Sequence, residues 1–138
     1  MNRIMKLAPF LLLLCVFSVR AEEMSGSPDS VKGILDASSE KGIRLSEKAA
    51  STLEIKAAAL DGNSSHKIPT AALVYFQGQV GVYRLRDGWY KLVQVRIENK
   101  FAKDVVIRST DLNPKDQIVV EGVALLRVAE MDAFGGEE

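Results

Sequence analysis

A chain of 138 residues, 47% hydrophobic and 26% charged, has the composition of one ordinary globular domain, which excludes a disordered or fibrous protein. Its 18 basic residues balance its 18 acidic ones. The basic residues stand singly among acidic and apolar neighbours, with no run of cations to track phosphates, so no nucleic acid is expected as a partner.

The start, MNRIMKLAPFLLLLCVFSVRA, places Arg3 and Lys6 before an apolar run at residues 7–19 and ends on Val19-Arg20-Ala21. This is the layout of a secretory signal peptide over residues 1–21, with cleavage expected between Ala21 and Glu22. As a helix the apolar run covers only about 20 Å of a hydrocarbon core of roughly 30 Å; an uncleaved inner-membrane anchor is the alternative. Leu14 stands where a lipoprotein signal needs a small residue, so Cys15 reads as filling of the signal peptide. Removal of residues 1–21 takes Arg3, Lys6 and Arg20 from the 18 basic residues and none of the 18 acidic ones, leaving an excess of three acidic residues and no cysteine. An exported domain of that kind is held by its apolar core alone.

Residues 22–40, EEMSGSPDSVKGILDASSE, have no sustained apolar period and read as a flexible leader. In GIRLSEKAASTLEIKAAAL, Ile43 and Leu45 alternate as a short strand, Ser46 can cap a helical turn from Glu47 to Thr52, and Ile55, Ala57 and Ala59 alternate again. Residues 61–65, DGNSS, form a loop. Pro69 suits the start or edge of a strand. Residues 79–85 and 89–97 are β-rich, and between them Asp87-Gly88 tolerates the positive φ angles of a two-residue hairpin turn. Val93, Val95 and Ile97 on one face and Gln94, Arg96 and Glu98 on the other predict a sheet with one wet face. Val105 and Ile107 mark a further strand, residues 111–116 a turn and residues 118–120 a last strand. About six short strands and one short helical turn predict a mainly β fold, a small β-barrel or sandwich with no long helix. The domain spans residues 41–131, with 132–138 as a flexible tail.

Chemistry-bearing sets are sparse. His66 is the only histidine, and without a second histidine or a thiolate it cannot complete a zinc site; it reads as a solvated loop residue. Met24 and Met131 lie at opposite ends and do not make a soft copper site. No metal or cofactor is expected. There is no Gly-x-Ser-x-Gly turn and no glycine-rich phosphate loop, so no catalytic residue, enzymatic activity or small-molecule substrate is expected either. Trp89 and Tyr90 follow the hairpin turn, where aromatic rings mostly cover the adjoining strand. With Gln94 and Arg96 they make the candidate partner-contact face.

The segments IPTAALV, VGVYRLRDGWYKLVQVRI and DLNPKDQIVVEGVALLRVAEM resemble the C-terminal part of the periplasmic adaptor subunits, or membrane fusion proteins, of RND-type efflux pumps, and within them the heavy-metal cation branch. GIRLSEKAASTLEIKAAAL resembles the opening of the same adaptors. The likeness covers roughly residues 42–131. It departs from the family's closing motif at Lys115, where the family has glycine. The lipoyl, α-hairpin and barrel regions that intervene in a full adaptor are replaced by residues 61–67, so the chain is similar to an adaptor reduced to its membrane-proximal piece. A short loop can join strands that already pair, at little closure cost.

The resemblance implies a compact SH3-like β-barrel. It also implies a non-catalytic periplasmic accessory or adaptor-like protein of a cation efflux system, whose partners are the inner-membrane RND transporter, a full-length adaptor, or both. Without the α-hairpin the chain should not bridge to an outer-membrane channel. The alternatives are a periplasmic metal-binding chaperone feeding the pump and a truncated adaptor remnant. The signal-peptide reading predicts that intact-mass measurement of the exported protein finds Glu22 as the first residue; an N-terminus at Met1 with membrane retention would establish the anchor instead.

Overall fold

The computed structural model describes residues 33–135, so the signal peptide expected over residues 1–21 lies outside the described residues. The chain begins with strands β1 (Ile34–Ser38) and β2 (Gly42–Leu45), paired antiparallel. Gly42 has φ 95°, and a Cβ there would collide with the Tyr90 carbonyl, so only glycine lets β2 lie this close to its neighbour. Helix α1 (Glu47–Thr52) starts where Ser46, in extended geometry, accepts the Ala49 N–H on its hydroxyl at 3.1 Å. It stops at Glu54, φ 52°, with the Ile55 N–H bonded to the Ala50 carbonyl at 3.0 Å, a left-handed cap that satisfies the last carbonyls.

Strands β3 (Lys56–Ala59) and β4 (His66–Pro69) follow, then a 3₁₀ turn (Thr70–Ala72) and a meander of β5 (Val74–Phe76), β6 (Gln79–Arg86) and β7 (Trp89–Gln94). Both meander turns are two residues long with positive φ throughout, Gln77-Gly78 at 48° and 74° and Asp87-Gly88 at 51° and 80°. These are the turns whose twist matches paired strands. The chain closes with β8 (Arg96–Lys100), β9 (Asp104–Arg108), β10 (Gln117–Glu121) and helix α2 (Val123–Ala133).

Seven strands form one antiparallel sheet in the order β1-β2-β7-β6-β10-β3, with β5 beside the first half of β6 and β10 beside the second. Three strands, β4-β9-β8, form the other. The chain passes between the sheets at Val95, whose N–H bonds to the Val80 carbonyl at 2.9 Å.

Alternation along the strands builds two cores. Val82, Val93 and Ile118 of the large sheet meet Ile68, Val105 and Ile107 of the small one, with Val95 at the corner. On the opposite face, Ile43, Tyr83, Tyr90 and Val119 meet Val123 and Leu126 of α2. Each such side chain, fully buried, contributes about 1.5–3 kcal/mol. The helix is also tied by polar contacts: the Tyr83 hydroxyl donates to Glu130 Oε2 at 2.6 Å, and Arg127 Nη1 donates to the same oxygen at 2.6 Å. Burial first, and then the Glu130 carboxylate, push the Tyr83 phenol above its usual range, so it remains a donor.

The mainly β fold expected from the sequence is present, with four corrections. The sheets do not close into a barrel, because β1 and β3 end the large sheet and the small sheet is separate. There are ten strands rather than about six: the run at 89–97 divides at Val95, and β1 and β5 are added. Strand β1 falls within the segment read as leader; it sits at a sheet edge, where backbone pairing with β2 substitutes for an apolar pattern. Helix α2 runs to Ala133, into the expected tail, and is an 11-residue helix where none was expected. Its inward side ends in Ala129 and Ala133, which pack on the second core yet carry little apolar signal, while Ala, Leu, Arg, Glu and Met favour helix. No helix among the described residues is long and apolar enough to cross a membrane.

The alternation at the corner is directly testable. Val95 is 7% exposed and Gln94 is exposed. Val95→Asp should cost several kcal/mol and unfold or aggregate the domain, whereas Gln94→Asp should change stability by about 0.5 kcal/mol or less. Similar thermal midpoints for the two variants would refute the register.

Candidate partner-binding site at the β6–β7 hairpin

Beyond the two cores the far end of the β6–β7 hairpin projects with different surroundings on its two faces. Cross-strand register sets which residues share a face: Arg84 is opposite Lys91, Arg86 opposite Trp89, and Trp89 opposite Arg44 of β2. This is the continuation of the face that carries Val82 and Val93, past the point where the small sheet covers it. The side chains therefore turn from apolar to charged. Lys41, in the β1–β2 turn, lies with its Nζ 5.6 Å from the centre of the Trp89 ring, within cation–π range. Glu40, Lys41, Arg84, Arg86, Asp87, Trp89 and Lys91 line a cleft of about 490 Å³.

The opposite face of the hairpin end borders a larger cleft of about 740 Å³. Leu45, Ala50, Leu85 and Tyr90 supply apolar lining, and the turn at residues 113–117 supplies polar lining.

One ion pair holds the two clefts in place. Arg86 forks onto Asp116, Nε to Oδ1 and Nη2 to Oδ2, both at 2.7 Å. Asp116 Oδ2 also accepts the Asn113 N–H at 2.7 Å, and Asp116 is 2% exposed. Burial alone raises a carboxyl's pKa, but the Arg86 fork and the Asn113 N–H outweigh it and hold Asp116 below the usual carboxylate range. The Asp116 carboxylate in turn raises the Arg86 guanidinium. Arg84 is less well served. Its Nη1 donates to the Asp111 carbonyl at 3.1 Å, but its Nε is shielded from solvent with no acceptor. Burial, and next the neighbouring Arg86, lower its pKa.

The four residues expected to form a partner face are dispersed. Trp89 is half-buried on the charged face, while Tyr90, one residue on, points the other way into the second core at 9% exposure. Tyr90 thus packs the hairpin, and burial raises its phenol pKa. Gln94 and Arg96 line a separate cleft of about 460 Å³ at the corner between the sheets, with Glu98 and Arg108. The expected wet face persists only at Gln94, Arg96 and Glu98. Lys41, Arg44, Arg84, Arg86 and Lys91 were not singled out from sequence, since they come from separate strands and meet only through strand pairing. Period-2 charge at Arg84, Arg86 and Lys91, flanking an Asp-Gly turn, is the signal that marks them.

His66 is also corrected. It is 4% exposed at the start of β4, opposite Ile107, and its Nδ1 lies 2.9 Å from Asp61 Oδ1. The period-2 alternation that buries Ile68 buries His66 as well. The His66 contact first, and then Asn63, hold the Asp61 carboxyl below its usual range. Ser65 bonds Glu98 and Arg108, so no hydroxyl–imidazole pair forms between these neighbours. No group of three or more His, Cys, Asp or Glu residues able to hold a metal occurs among the described residues. In comparison with protein-family models, curated protein sequences and solved structures, the chain matches none.

Because the folded pKa of Asp116 is depressed, its contribution to stability is present above the unfolded carboxylate value near about 4 and is lost as pH falls through the lower folded value. Asp116→Asn should cost about 1–2 kcal/mol at pH 7, discounted for the partial exposure of Arg86. The variant should also lose less stability than the parent between pH 5 and pH 3. Equal acid losses in thermal melts of the two proteins would show that the pair is not the linked group.

Proposed function

We propose that the chain is a non-catalytic accessory or adaptor-like protein of an RND-type cation efflux system, acting in the periplasm by binding another protein. The observation that carries this reading is the pairing at one edge of the large sheet: β3 pairs with β10, Ala59 opposite Gln117 and Ala57 opposite Val119. The first and last segments that resemble the adaptors thus lie side by side, joined to the rest by the short connection at residues 60–65. In an adaptor reduced in this way the same first and last segments are expected to come together. A binding role is supported by the hairpin end, which offers charged and apolar clefts on its two faces and no assembled nucleophile and base.

The exported protein, carrying a C-terminal affinity tag and expressed in its own host, should retain the inner-membrane RND transporter or a full-length adaptor after detergent solubilisation. Retention is read by mass spectrometry of the eluate. Recovery of neither above the level of an untagged control would sink the proposal.

A further inference from the structure

The uncovered end of the large sheet carries a cost that the domain offsets only in part, since Arg84 and Lys91 donate to the backbone carbonyls of Asp111 and Glu40 and to no carboxylate. Arg84 and Lys91 stand directly opposite each other on β6 and β7, where like charges repel. Arg84 Nε is shielded and unbonded, which is uncommon for a polar side-chain atom removed from water. Arg44 shares the face through its register with Trp89. Among the described residues, none of Lys41, Arg44, Arg84 and Lys91 is in an ion pair with a carboxylate. The same sheet shows what relieves such a group, since Arg86, two residues along β6 on the same face, is held in a two-pronged bond by Asp116.

The geometry points to this face as a docking surface for an acidic polypeptide segment, whose carboxylates pair with Arg84, Lys91 and Arg44, cations that no carboxylate of the domain bonds although Asp36 stands opposite Arg44. The inference rests on the reading of the chain as a binding protein and names the chemistry of its partner. Arg44 is in line with Trp89 and Arg86, so it lies two strands across and two residues along from Arg84, roughly 12 Å, and one short extended segment laid obliquely across the strands reaches all three cations. Nucleic acid fits less well. Asp36 opposite Arg44, together with Glu40 and Asp87 in the cleft, interrupts the cations. Separated carboxylates tolerate such gaps, while a continuous phosphate track is repelled by them. Trp89 is the only tryptophan and the one aromatic ring lining its cleft, so the cleft offers no stacking ladder for bases.

The test uses the mature protein with a fluorescein-labelled peptide of alternating Glu and Ser, read by anisotropy and by Trp89 emission, alongside a labelled oligothymidylate. The peptide should bind saturably, change Trp89 emission and weaken as salt is raised. Arg84→Gln combined with Lys91→Gln should weaken binding about tenfold, and Lys103→Gln, away from the face, should leave it unchanged. The double variant removes a repulsion and should melt no lower than the parent. If it melts lower, Arg44→Gln, whose side chain is exposed, decides alone by whether affinity falls. Absent saturation, undiminished affinity in the variants, or tighter binding of the oligothymidylate would overturn the inference. If the peptide fails while the transporter or adaptor is still captured, the efflux reading stands and the acidic docking surface falls. The reverse result keeps the surface and removes the efflux assignment.

Discussion

Val82 and Tyr83 are adjacent on β6 and both are fully buried, so the large sheet has to be covered on both of its faces. That requirement organises the rest of the domain. The small sheet folds over at Val95 to cover the Val82 side, and α2 lies on the Tyr83 side. β10 repeats the pattern, with Ile118 facing one core and Val119 the other, both at 0% exposure. Covering the sheet on both faces is how a domain of this size reaches a sufficient apolar core without disulfides. It also fixes where the covering stops, and the hairpin end that extends past it is where charge collects.

Much of this was legible in the residues, and the reason is local. Ser46 announces α1 because its hydroxyl can satisfy a helix-terminal N–H within three residues, and the bond to Ala49 forms as expected. Asp87-Gly88 announces its turn because few residue pairs accept two successive positive φ angles. Val93, Val95 and Ile97 announce a buried face through strict alternation. What was not legible depends on partners distant in the chain. Strand β1 is a strand because β2 is beside it, and beyond Val123 and Leu126 the last turns of α2 put only Ala129 and Ala133 inward, a pattern that resembles a polar tail.

The candidate site divides in the same way. Trp89 and Tyr90 read alike in the sequence but face opposite sides of the sheet, so an aromatic pair does not make an aromatic patch. The cations of the uncovered face are spread over residues 41–91 and look like the ordinary solvated charges of a neutral protein until β2, β7 and β6 are aligned. His66 shows the converse. A lone histidine in a polar stretch becomes buried because the alternation of β4 extends two residues back from Ile68, and Asp61 supplies the polar partner that burial demands.

The pairing of β3 with β10 also bears on the order in which the domain is made. Ala59 meets Gln117, a separation of about 60 positions, whereas the β5–β6–β7 meander joins neighbours through two-residue turns. Contacts of such high sequence separation form late, after the local hairpins have offset part of the loop-closure cost. As the chain emerges from the ribosome, β2 can pair with β1 at once and gains β7 later, whereas β3 has no strand partner until β10 appears. Strand β3 therefore stays unpaired until residues 117–121 have been made. The large sheet is complete only once β10 has been delivered, so the domain is ill suited to folding before then.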